Sequence, residues 1–216
     1  GKAMSLLANH YYAYPSEAMK VIGVTGTNGK TTVTYLVEAI LKAMDKKTGL
    51  MGTIEMHIGD EVHETKNTTP DSITMQKALH LMVEKETEYF TLELSSIALE
   101  MGRAWGLDLD VAIMTNLTHE HMEFHHTMEA YAEAKKLLFS QLGNGRKNGR
   151  TKAAVLNADD ETIHSYRIAT AAEVISYSVK DETADFFATD ITYSRTQTRF
   201  DLVVNGERYP VVTNLV

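Results

Sequence analysis

The sequence predicts an α/β fold of the P-loop type, in which a mostly parallel sheet is flanked by helices. Short runs rich in β-branched and apolar residues predict strands at 21–24, 89–94, 110–115, 153–156 and 173–177. Helical periodicity separates these strands, and such alternation is typical of βαβ units with parallel strands. From residue 186 the chain alternates strands with turns, which predicts a small antiparallel addition over 186–216.

The predicted helices occupy the stretches between the strands. Residues 2–14 predict a short helix that ends near Pro15, so that 1–20 form a linker. A second helix is predicted by the apolar stripe Val33, Leu36, Val37, Ile40, Leu41 and Met44. A third, capped by either Asp71 or Ser72, has the stripe Met75, Leu79, Met82 and Val83. Further helices are predicted at 96–104, 128–142 and 159–169.

Two connecting segments have turn chemistry. Residues 48–65 carry glycines between alternating residues, which predicts strands joined by a hairpin turn at Gly59-Asp60. Residues 143–149 are rich in glycine, asparagine and basic side chains, and we interpret them as a solvated loop.

A glycine loop lies between the first strand and the second helix, and it reads Gly26-Thr27-Asn28-Gly29-Lys30-Thr31. Glycines let the backbone approach a polyphosphate, and the helix N-terminus offers unpaired N–H groups. Lys30 adds a point charge and Thr31 a hydroxyl for magnesium. The strict P-loop pattern is broken at Val24, and the alternative is an ordinary strand-to-helix turn. We interpret the loop as a nucleotide phosphate site.

Composition excludes several classes of function. The 216 residues include 21 Lys and Arg against 29 Asp and Glu, a formal charge of −8, and no cysteine. An acidic chain has no broad field for nucleic acid or anionic membranes, and without cysteine it forms no disulfide or thiolate zinc site. Without a membrane-length apolar run or a leader, we expect a cytoplasmic monomer. The start at Gly1, without an initiator methionine, suggests a piece of a longer protein.

Polar residues stand at the carboxyl ends of the predicted strands, where ligands bind in open α/β sheets. These ends read Glu93-Leu94-Ser95-Ser96, Thr115-Asn116-Leu117-Thr118 and Asn157-Ala158-Asp159-Asp160. Glu93 follows an apolar run, so its carboxylate needs a partner, and near a triphosphate magnesium is the natural one. Alternatively, Glu93 caps the helix that follows it.

Histidines crowd into the next segment, at His119, His121, His125 and His126. A zinc site is one interpretation, although the chain has no cysteine to complete it. We favour a single histidine at a magnesium–phosphate site, with the others in polar or structural roles.

These stretches, with Asn67-Thr68-Thr69-Pro70 and the segment from Thr127-Met128-Glu129-Ala130-Tyr131 to Lys135, resemble the central ATPase domain of the Mur ligase family. The likeness covers about residues 6 to 160 and is strongest to ligases that add the third amino acid of the peptidoglycan stem. It implies an ATP-dependent ligase that joins this amino acid to UDP-MurNAc-L-Ala-D-Glu through an acyl-phosphate. It also implies that separate N-terminal and C-terminal ligase domains belong to the parent protein.

The resemblance implies roles for individual residues. Lys30 would stabilise the β- and γ-phosphates of ATP, and magnesium would be bound by Thr31, Glu93, His121 and, as a carbamate, Lys135. The nucleotide would contact Gly26, Thr27, Asn28, Gly29, Lys30, Thr31, Thr32 and Asn116. The UDP-muramoyl substrate would contact Asn67, Thr68, Thr69, Ser95 and Arg103. The implied catalytic set is Lys30, Glu93, His121 and Lys135.

Lys135 also stands out by its position on the predicted helix 128–142. The inward stripe is Met128, Tyr131, Lys135, Leu138, Phe139 and Leu142, and Lys136 is rotated by about 100° toward a polar flank. Desolvation lowers the pKa of an ammonium on an apolar face and leaves neutral amine to add carbon dioxide. We expect carbamylation at Lys135; the alternative is a lysine that extends along the apolar face to solvent.

Other functions stay open at this stage. Ile97 and Met101 depart from the third-residue ligases, which allows a divergent paralogue. Folylpolyglutamate synthase is a related possibility, although Asn67-Thr68-Thr69-Pro70 favours the muramoyl branch. A non-catalytic nucleotide-binding module is the third. The sequence does not distinguish lysine from diaminopimelate as the added amino acid.

Overall fold

The computed structural model describes residues 1–143 and 151–215, so most of the predicted basic loop at 143–149 lies outside the described residues. The helices are α1 (Lys2–Tyr11), α2 (Lys30–Ala43), α3 (Ser72–Glu84), α4 (Ser96–Glu100), α5 (Met122–His125), α6 (Met128–Gln141) and α7 (Ile163–Ala169), with a 3-10 helix over Pro15–Ala18. The strands are β1 (Lys20–Thr25), β2 (Thr48–Met51), β3 (Glu55–Ile58), β4 (Glu61–Glu64), β5 (Tyr89–Glu93), β6 (Val111–Met114), β7 (Ala153–Asn157), β8 (Glu173–Ser178), β9 (Phe186–Tyr193), β10 (Thr198–Val204) and β11 (Glu207–Thr213).

The described strands form one sheet in the order β11-β10-β9-β8-β7-β6-β1-β5-β2-β3-β4. Its centre, from β2 to β8, is parallel, which confirms the predicted βαβ architecture. β9 pairs in parallel with β8, while β10 is antiparallel to both β9 and β11. The predicted antiparallel addition is thus confirmed, and it continues the main sheet. At the other edge, β3 and β4 form the predicted hairpin.

Helices α1, α4 and α7 are shorter than predicted. α1 ends at Tyr11, because Ala13 and Tyr14 adopt left-handed conformations before the chain reaches the 3-10 helix. α7 begins at Ile163, because the Asp160 carboxylate accepts the Thr162 N–H (2.9 Å) and holds a turn there, while its other oxygen accepts the Leu117 N–H after β6 (2.6 Å). Backbone conformation thus ends α1, and a side-chain contact sets the start of α7.

Helix α2 forms where its apolar stripe predicts a helix, over Lys30–Ala43, but the stripe is only partly covered. Side chains of the stripe are 41%, 60% and 62% exposed at Leu36, Ile40 and Met44. The helix buries Thr34 and Glu38 instead. Glu38 is stabilised inside because His57 of β3 places its Nδ1 atom 2.8 Å from the Glu38 carboxylate. A polar contact with β3 thus helps to decide which face of α2 is inward.

Helices α3 and α6 bury the predicted faces. Met75, Leu79 and Met82 of α3 are buried, and Asp71 is its cap, accepting two backbone N–H groups at 3.0 Å each. On α6 the buried side chains include Tyr131, Lys135, Leu138 and Phe139. None of the helices in the described ranges is long and apolar enough to cross a membrane.

Candidate active site

The glycine loop connects β1 to α2 at the carboxyl ends of the parallel strands. Gly29 caps α2 with φ of 83°, a conformation that residues with side chains rarely adopt. Gly26 passes so close to Thr115 that an added Cβ atom would lie 1.8 Å from the Thr115 Oγ1 atom. Because the first N–H groups of α2 have no partner within the helix, the loop presents them to an anion.

Residues after β6 hold the conformation of this loop. Asn116 donates from Nδ2 to the Asn28 carbonyl (3.1 Å), and its Oδ1 accepts from the Asn28 N–H (3.0 Å). Thr27 donates its N–H to the Asn116 carbonyl (2.8 Å), and its hydroxyl lies 3.1 Å from that of Tyr131. Asn116, predicted as a nucleotide contact, therefore uses its side chain to shape the phosphate loop.

The Lys30 ammonium lies at the mouth of the loop. It donates to the carbonyls of Gly26 (3.0 Å) and Thr27 (2.7 Å). Burial lowers the pKa of Lys30, and the carboxylates of Glu93 and Glu120 act in the opposite direction. A positive charge is thus held beside the N–H groups that begin α2.

Glu93 ends β5 with a side chain that is buried and hydrogen-bonded. The residue is 1% exposed, and its Oε1 atom accepts from the Thr31 hydroxyl (3.0 Å) and the Thr53 N–H (2.9 Å). Its Oε2 atom accepts from the Thr53 hydroxyl (3.0 Å). The alternative that Glu93 caps the next helix is wrong, because Ser95 caps α4 by accepting from the Ala98 N–H (3.2 Å).

A cleft of about 440 Å³ opens over these groups. Its lining residues are Thr27, Asn28, Gly29, Lys30, Thr31, Thr32, Thr53, Thr68, Glu93, Glu120 and His121. Magnesium prefers hydroxyl and carboxylate oxygens, and in nucleotide sites phosphate oxygens and water complete its coordination. Thr31 and Glu93 therefore fit magnesium that arrives with a nucleotide. In the described ranges no group of three or more His, Cys, Asp or Glu forms a self-sufficient metal site.

His121 borders the cleft, but its ring is directed toward neighbouring carboxylates. Its ring nitrogens lie 3.7 Å from a Glu120 oxygen and 3.4 Å from a Glu123 oxygen. The residue precedes α5 with φ of 58°, in the left-handed region. The structure thus brings His121 to the predicted place without a contact to Glu93.

His125 has a different environment. Its Nε2 atom lies 2.8 Å from the Ser96 hydroxyl and its Nδ1 atom 2.9 Å from a Glu100 oxygen. Burial lowers the pKa of His125, while Glu100 acts in the opposite direction. The two histidines therefore lie near different carboxylates, although both rings also contact the Tyr131 ring, and His125 ties α4 to the segment before α6.

Lys135 projects from α6 to the inner side of the loop. It is 1% exposed, and its Nζ atom donates to the Gly26 carbonyl (2.9 Å) and lies 4.4 Å from the centre of the Tyr131 ring. Burial first, and then the charge of Lys30, lower the pKa of Lys135 to about 7. Lys136 pairs with Glu133 on the surface of the helix. Lys135 is the inward lysine, as predicted, and its ammonium does not reach solvent.

The predicted substrate residues surround the end of β5. Thr68 lines the cleft, and its hydroxyl lies 3.0 Å from that of Thr53. Thr69 is buried; its hydroxyl donates to the Glu93 carbonyl (2.8 Å) and accepts the Ser95 N–H (3.1 Å). This segment is therefore joined directly to the strand that carries Glu93.

Arg103 and Asn67 complete the predicted substrate set. The Arg103 guanidinium donates from Nη1 to the Thr69 carbonyl (2.8 Å), which fixes it beside this segment. Asn67, which lies two residues before Thr69, is exposed to solvent. Arg103 is thus positioned by the cleft wall, whereas Asn67 stands free to meet a ligand from solvent.

A second cavity, of about 560 Å³, borders the loop at Asn116. Its apolar wall includes Leu117, Met128 and Ala132, and polar groups are contributed by the ends of β6 and β7. Apolar walls with a few convergent polar groups suit a flat heterocycle with hydrogen-bonding edges. The cavity therefore fits the base of a nucleotide whose phosphates lie on the loop.

The model of the Mur ligase middle domain matches residues 24–216, and this range contains the glycine loop, Glu93 and Lys135. The chain belongs to the Mur ligase family. UDP-N-acetylmuramoyl-L-alanyl-D-glutamate--2,6-diaminopimelate ligase of Bacillus cereus is 45% identical over 215 residues, 100% of this chain and 44% of the relative. This Mur ligase chain thus spans less than half the length of the curated relative it matches.

Solved structures agree with the family assignment. A UDP-N-acetylmuramoyl-L-alanyl-D-glutamate--2,6-diaminopimelate ligase is similar at a TM-score of 0.83 and 32% identity, over 97% of this chain and 43% of that chain. A folylpolyglutamate synthase of Mycobacterium tuberculosis, complexed with ADP and AMPPCP, is similar at a TM-score of 0.70 and 12% identity, over 94% and 51%. The second likeness shows a shared fold alone.

The sequence predictions gave no site role to two residues of this Mur ligase site, Thr53 and Tyr131. Thr53 follows β2, so the rule that polar residues at strand ends form the site applies to it as it does to Glu93. Tyr131 lies four residues before Lys135 on the inward stripe of α6, and its hydroxyl meets Thr27 of the loop. Both had a positional signal that predicts burial or proximity. Thr53 belongs to none of the stretches that carry the family resemblance, and Tyr131, which does, was assigned no role.

Proposed function

We propose that this domain binds ATP with magnesium and phosphorylates a carboxylate of UDP-MurNAc-L-Ala-D-Glu, within a ligase that adds the third amino acid of peptidoglycan precursors. The observation that carries the proposal is the buried Glu93 carboxylate, which shares one cleft with Lys30 and the Thr31 hydroxyl. A loop that served only as a turn would have no use for a buried carboxylate at its mouth, because burying that charge is costly.

The two cavities support a single extended nucleotide. The N–H groups at the start of α2 and the Lys30 ammonium suit the phosphates, and the cavity beside Asn116 suits the base. Because Asn116 borders that cavity and bonds Asn28 of the loop, the two binding regions are contiguous.

The charges of the site suit attack by one anion on another. A substrate carboxylate that approaches a triphosphate is repelled unless cations screen both groups, so positioning and electrostatics dominate such a reaction. Magnesium, when bound, supplies most of that screening. Thr31 and Glu93 would hold the ion, and Lys30 would neutralise phosphate oxygens. No residue is assigned as a general base, since an ionised carboxylate has no proton to lose.

The muramoyl substrate would bind along the wall formed by Thr68, Thr69, Ser95 and Arg103, with Asn67 at its outer end. Arg103 donates through Nη1 to the Thr69 carbonyl, and its planar fork has further donors for a phosphate or carboxylate oxygen. This wall adjoins Glu93, so the dipeptide carboxylate would meet the phosphates near the Glu93 side chain. His121, at the rim of the cleft, is proposed as a further magnesium ligand.

The rest of the proposal concerns the parent protein. We propose that residues 1–216 are the central domain, and that further domains bind the uridine end of the substrate and deliver the amino acid. Diaminopimelate is proposed as that amino acid, on the names of the relatives alone. The enzyme would act in the cytoplasm, where UDP-linked precursors are made. It would act as a monomer.

The 216-residue chain alone is expected not to form amide product. The reason is that the amine and the surface that closes over the site are proposed to come from another domain, so that water meets any acyl-phosphate. Mass spectrometry of the chain with ATP, magnesium, the UDP-linked dipeptide and diaminopimelate should reveal no tripeptide. The full-length parent under the same conditions is the control, and steady tripeptide formation by the isolated chain would refute the prediction.

A nucleotide-binding module without catalysis is the second candidate. The phosphate loop alone would suffice for this function, since binding through Lys30 and the N-terminus of α2 needs no second substrate. ATP–magnesium binding without any reaction that depends on the UDP-linked dipeptide, in the full-length protein, would favour this candidate over the ligase.

A further inference from the structure

The turn between β2 and β3 is built around the Glu93 carboxylate. Thr53, in this turn, supplies two of the three hydrogen bonds described above, one from its backbone N–H and one from its hydroxyl. The Oε1 atom of Glu93 also accepts from Thr31, so one oxygen receives two donors and the other receives one. The orientation of the carboxylate is therefore determined mainly by Thr53.

Gly52 allows this approach because it has no side chain. A Cβ atom at residue 52 would lie 2.3 Å from Oε1 of Glu93 and 3.1 Å from its carboxyl carbon. The nearest groups are the far end of a flexible side chain, so an alanine at 52 would displace the carboxylate rather than the backbone. The turn thus excludes other positions of the Glu93 side chain by its shape as well as by its donors.

Thr53 also connects Glu93 to the segment proposed to bind the second substrate. Its hydroxyl lies 3.0 Å from both the Glu93 Oε2 atom and the Thr68 hydroxyl. The Thr53 hydroxyl is the donor in both contacts, and its one proton goes preferentially to the carboxylate, which is the stronger acceptor. Thr53 therefore lies between Glu93 and Thr68, within hydrogen-bonding distance of both.

The turn itself is held by another residue. The Thr65 hydroxyl lies within hydrogen-bonding distance of the carbonyls of Gly52 (3.0 Å) and Thr53 (3.1 Å). The Thr53 side chain is exposed on the cleft and packs into no core. Its hydroxyl is thus dispensable for the turn and is available to the carboxylate.

We propose that Thr53 is a positioning residue, which orients the Glu93 carboxylate for the magnesium ion and links it to Thr68. The inference rests on the proposed function, since it takes Glu93 as a magnesium ligand. Thr53 acts through Glu93: it holds the carboxylate in its binding orientation before the ion arrives, so that ion binding does not have to order this side chain.

The test measures the affinity of variants of this chain for the metal ion, with a non-hydrolysable ATP analogue at saturating concentration. Magnesium is titrated directly, and binding of manganese is followed by electron paramagnetic resonance. Thr53→Val, which removes one charge-assisted hydrogen bond, should weaken ion binding about tenfold. Thr53→Ser should restore the affinity to within about twofold, because it keeps the hydroxyl. Ile54→Val is the matched control from the same turn, because the Ile54 side chain is 62% exposed and does not line the cleft, and it should stay within about twofold of the original chain.

Crystal structures without nucleotide give a second readout. The Glu93 carboxylate should be rotated in Thr53→Val and displaced in Gly52→Ala, and unmoved in Ile54→Val. Original affinity and an unmoved carboxylate in Thr53→Val, together with lost ion binding in Glu93→Gln, would overturn the role of Thr53 and leave the proposed function intact. Unchanged ion binding in Glu93→Gln as well would overturn both.

Discussion

Replacing Lys30 by alanine is expected to abolish tight binding of ATP–magnesium and to leave the fold intact. The hydrogen bonds of the ammonium within the described ranges go to the loop carbonyls of Gly26 and Thr27. The side chain lies outside the hydrophobic core. Loss of a partly buried charge that pairs with phosphate costs about 2–5 kcal/mol, or roughly thirtyfold to several thousandfold in affinity.

Calorimetric titration of the nucleotide measures the affinity of this variant, and circular dichroism checks its fold. Lys46→Ala is the matched control, because Lys46 pairs with Glu88 (3.4 Å) on the surface and does not line the nucleotide cleft. It should bind the nucleotide as the original chain does. A folded Lys30→Ala variant with unchanged nucleotide affinity would contradict the phosphate role of the loop.

Lys135 is expected to become carbamylated by carbon dioxide, and Lys136 is not. The Lys135 and Lys30 ammonium groups both donate to the Gly26 carbonyl, at 2.9 and 3.0 Å, so two like charges are held close together. A carbamate on Lys135 would replace that repulsion with attraction to Lys30. Carbon-13 resonances from labelled bicarbonate report the adduct. Lys135→Arg should remove the signal, and Lys136→Arg should retain it.

The pH dependence of this modification follows from the lowered pKa. With a pKa of about 7 for Lys135, the neutral amine rises from about 10% at pH 6 to about 90% at pH 8. The carbamate signal should therefore increase over this interval and disappear in acid, where the adduct also decomposes. A free amine at Lys135 in the presence of ATP, magnesium and bicarbonate at pH 8 would rule the modification out.

The parallel core could be predicted from sequence because its strands are short apolar runs with local boundaries. The inward face of α2 could not, because it depends on a contact between Glu38 of the helix and His57 of β3. Periodicity records which residues are apolar, whereas the structure buries the polar pair and leaves Ile40 in solvent. Tertiary contacts of this kind have no local signal.

The candidate site was predictable where chemistry coincides with strand ends. Glu93 and the glycine loop meet in one cleft because the carboxyl ends of parallel strands lie at one edge of the sheet. The contacts of Thr53 with Glu93 could not be predicted without knowing that β2 pairs with β5. This pairing brings residues 53 and 93 together from distant positions in the chain. His121 is near the cleft, but its ring orientation depends on local carboxylates that no motif specifies.

The most direct test of the central claim is a stoichiometric assay of the full-length parent protein with ATP, magnesium, UDP-MurNAc-L-Ala-D-Glu and diaminopimelate. We predict that ADP, phosphate and the UDP-linked tripeptide form in equal amounts, and that omission of the dipeptide stops ADP release. Glu93→Gln in the same protein should abolish all three products. Binding of ATP–magnesium without any turnover that depends on the dipeptide would contradict the assignment of this domain to a peptidoglycan precursor ligase.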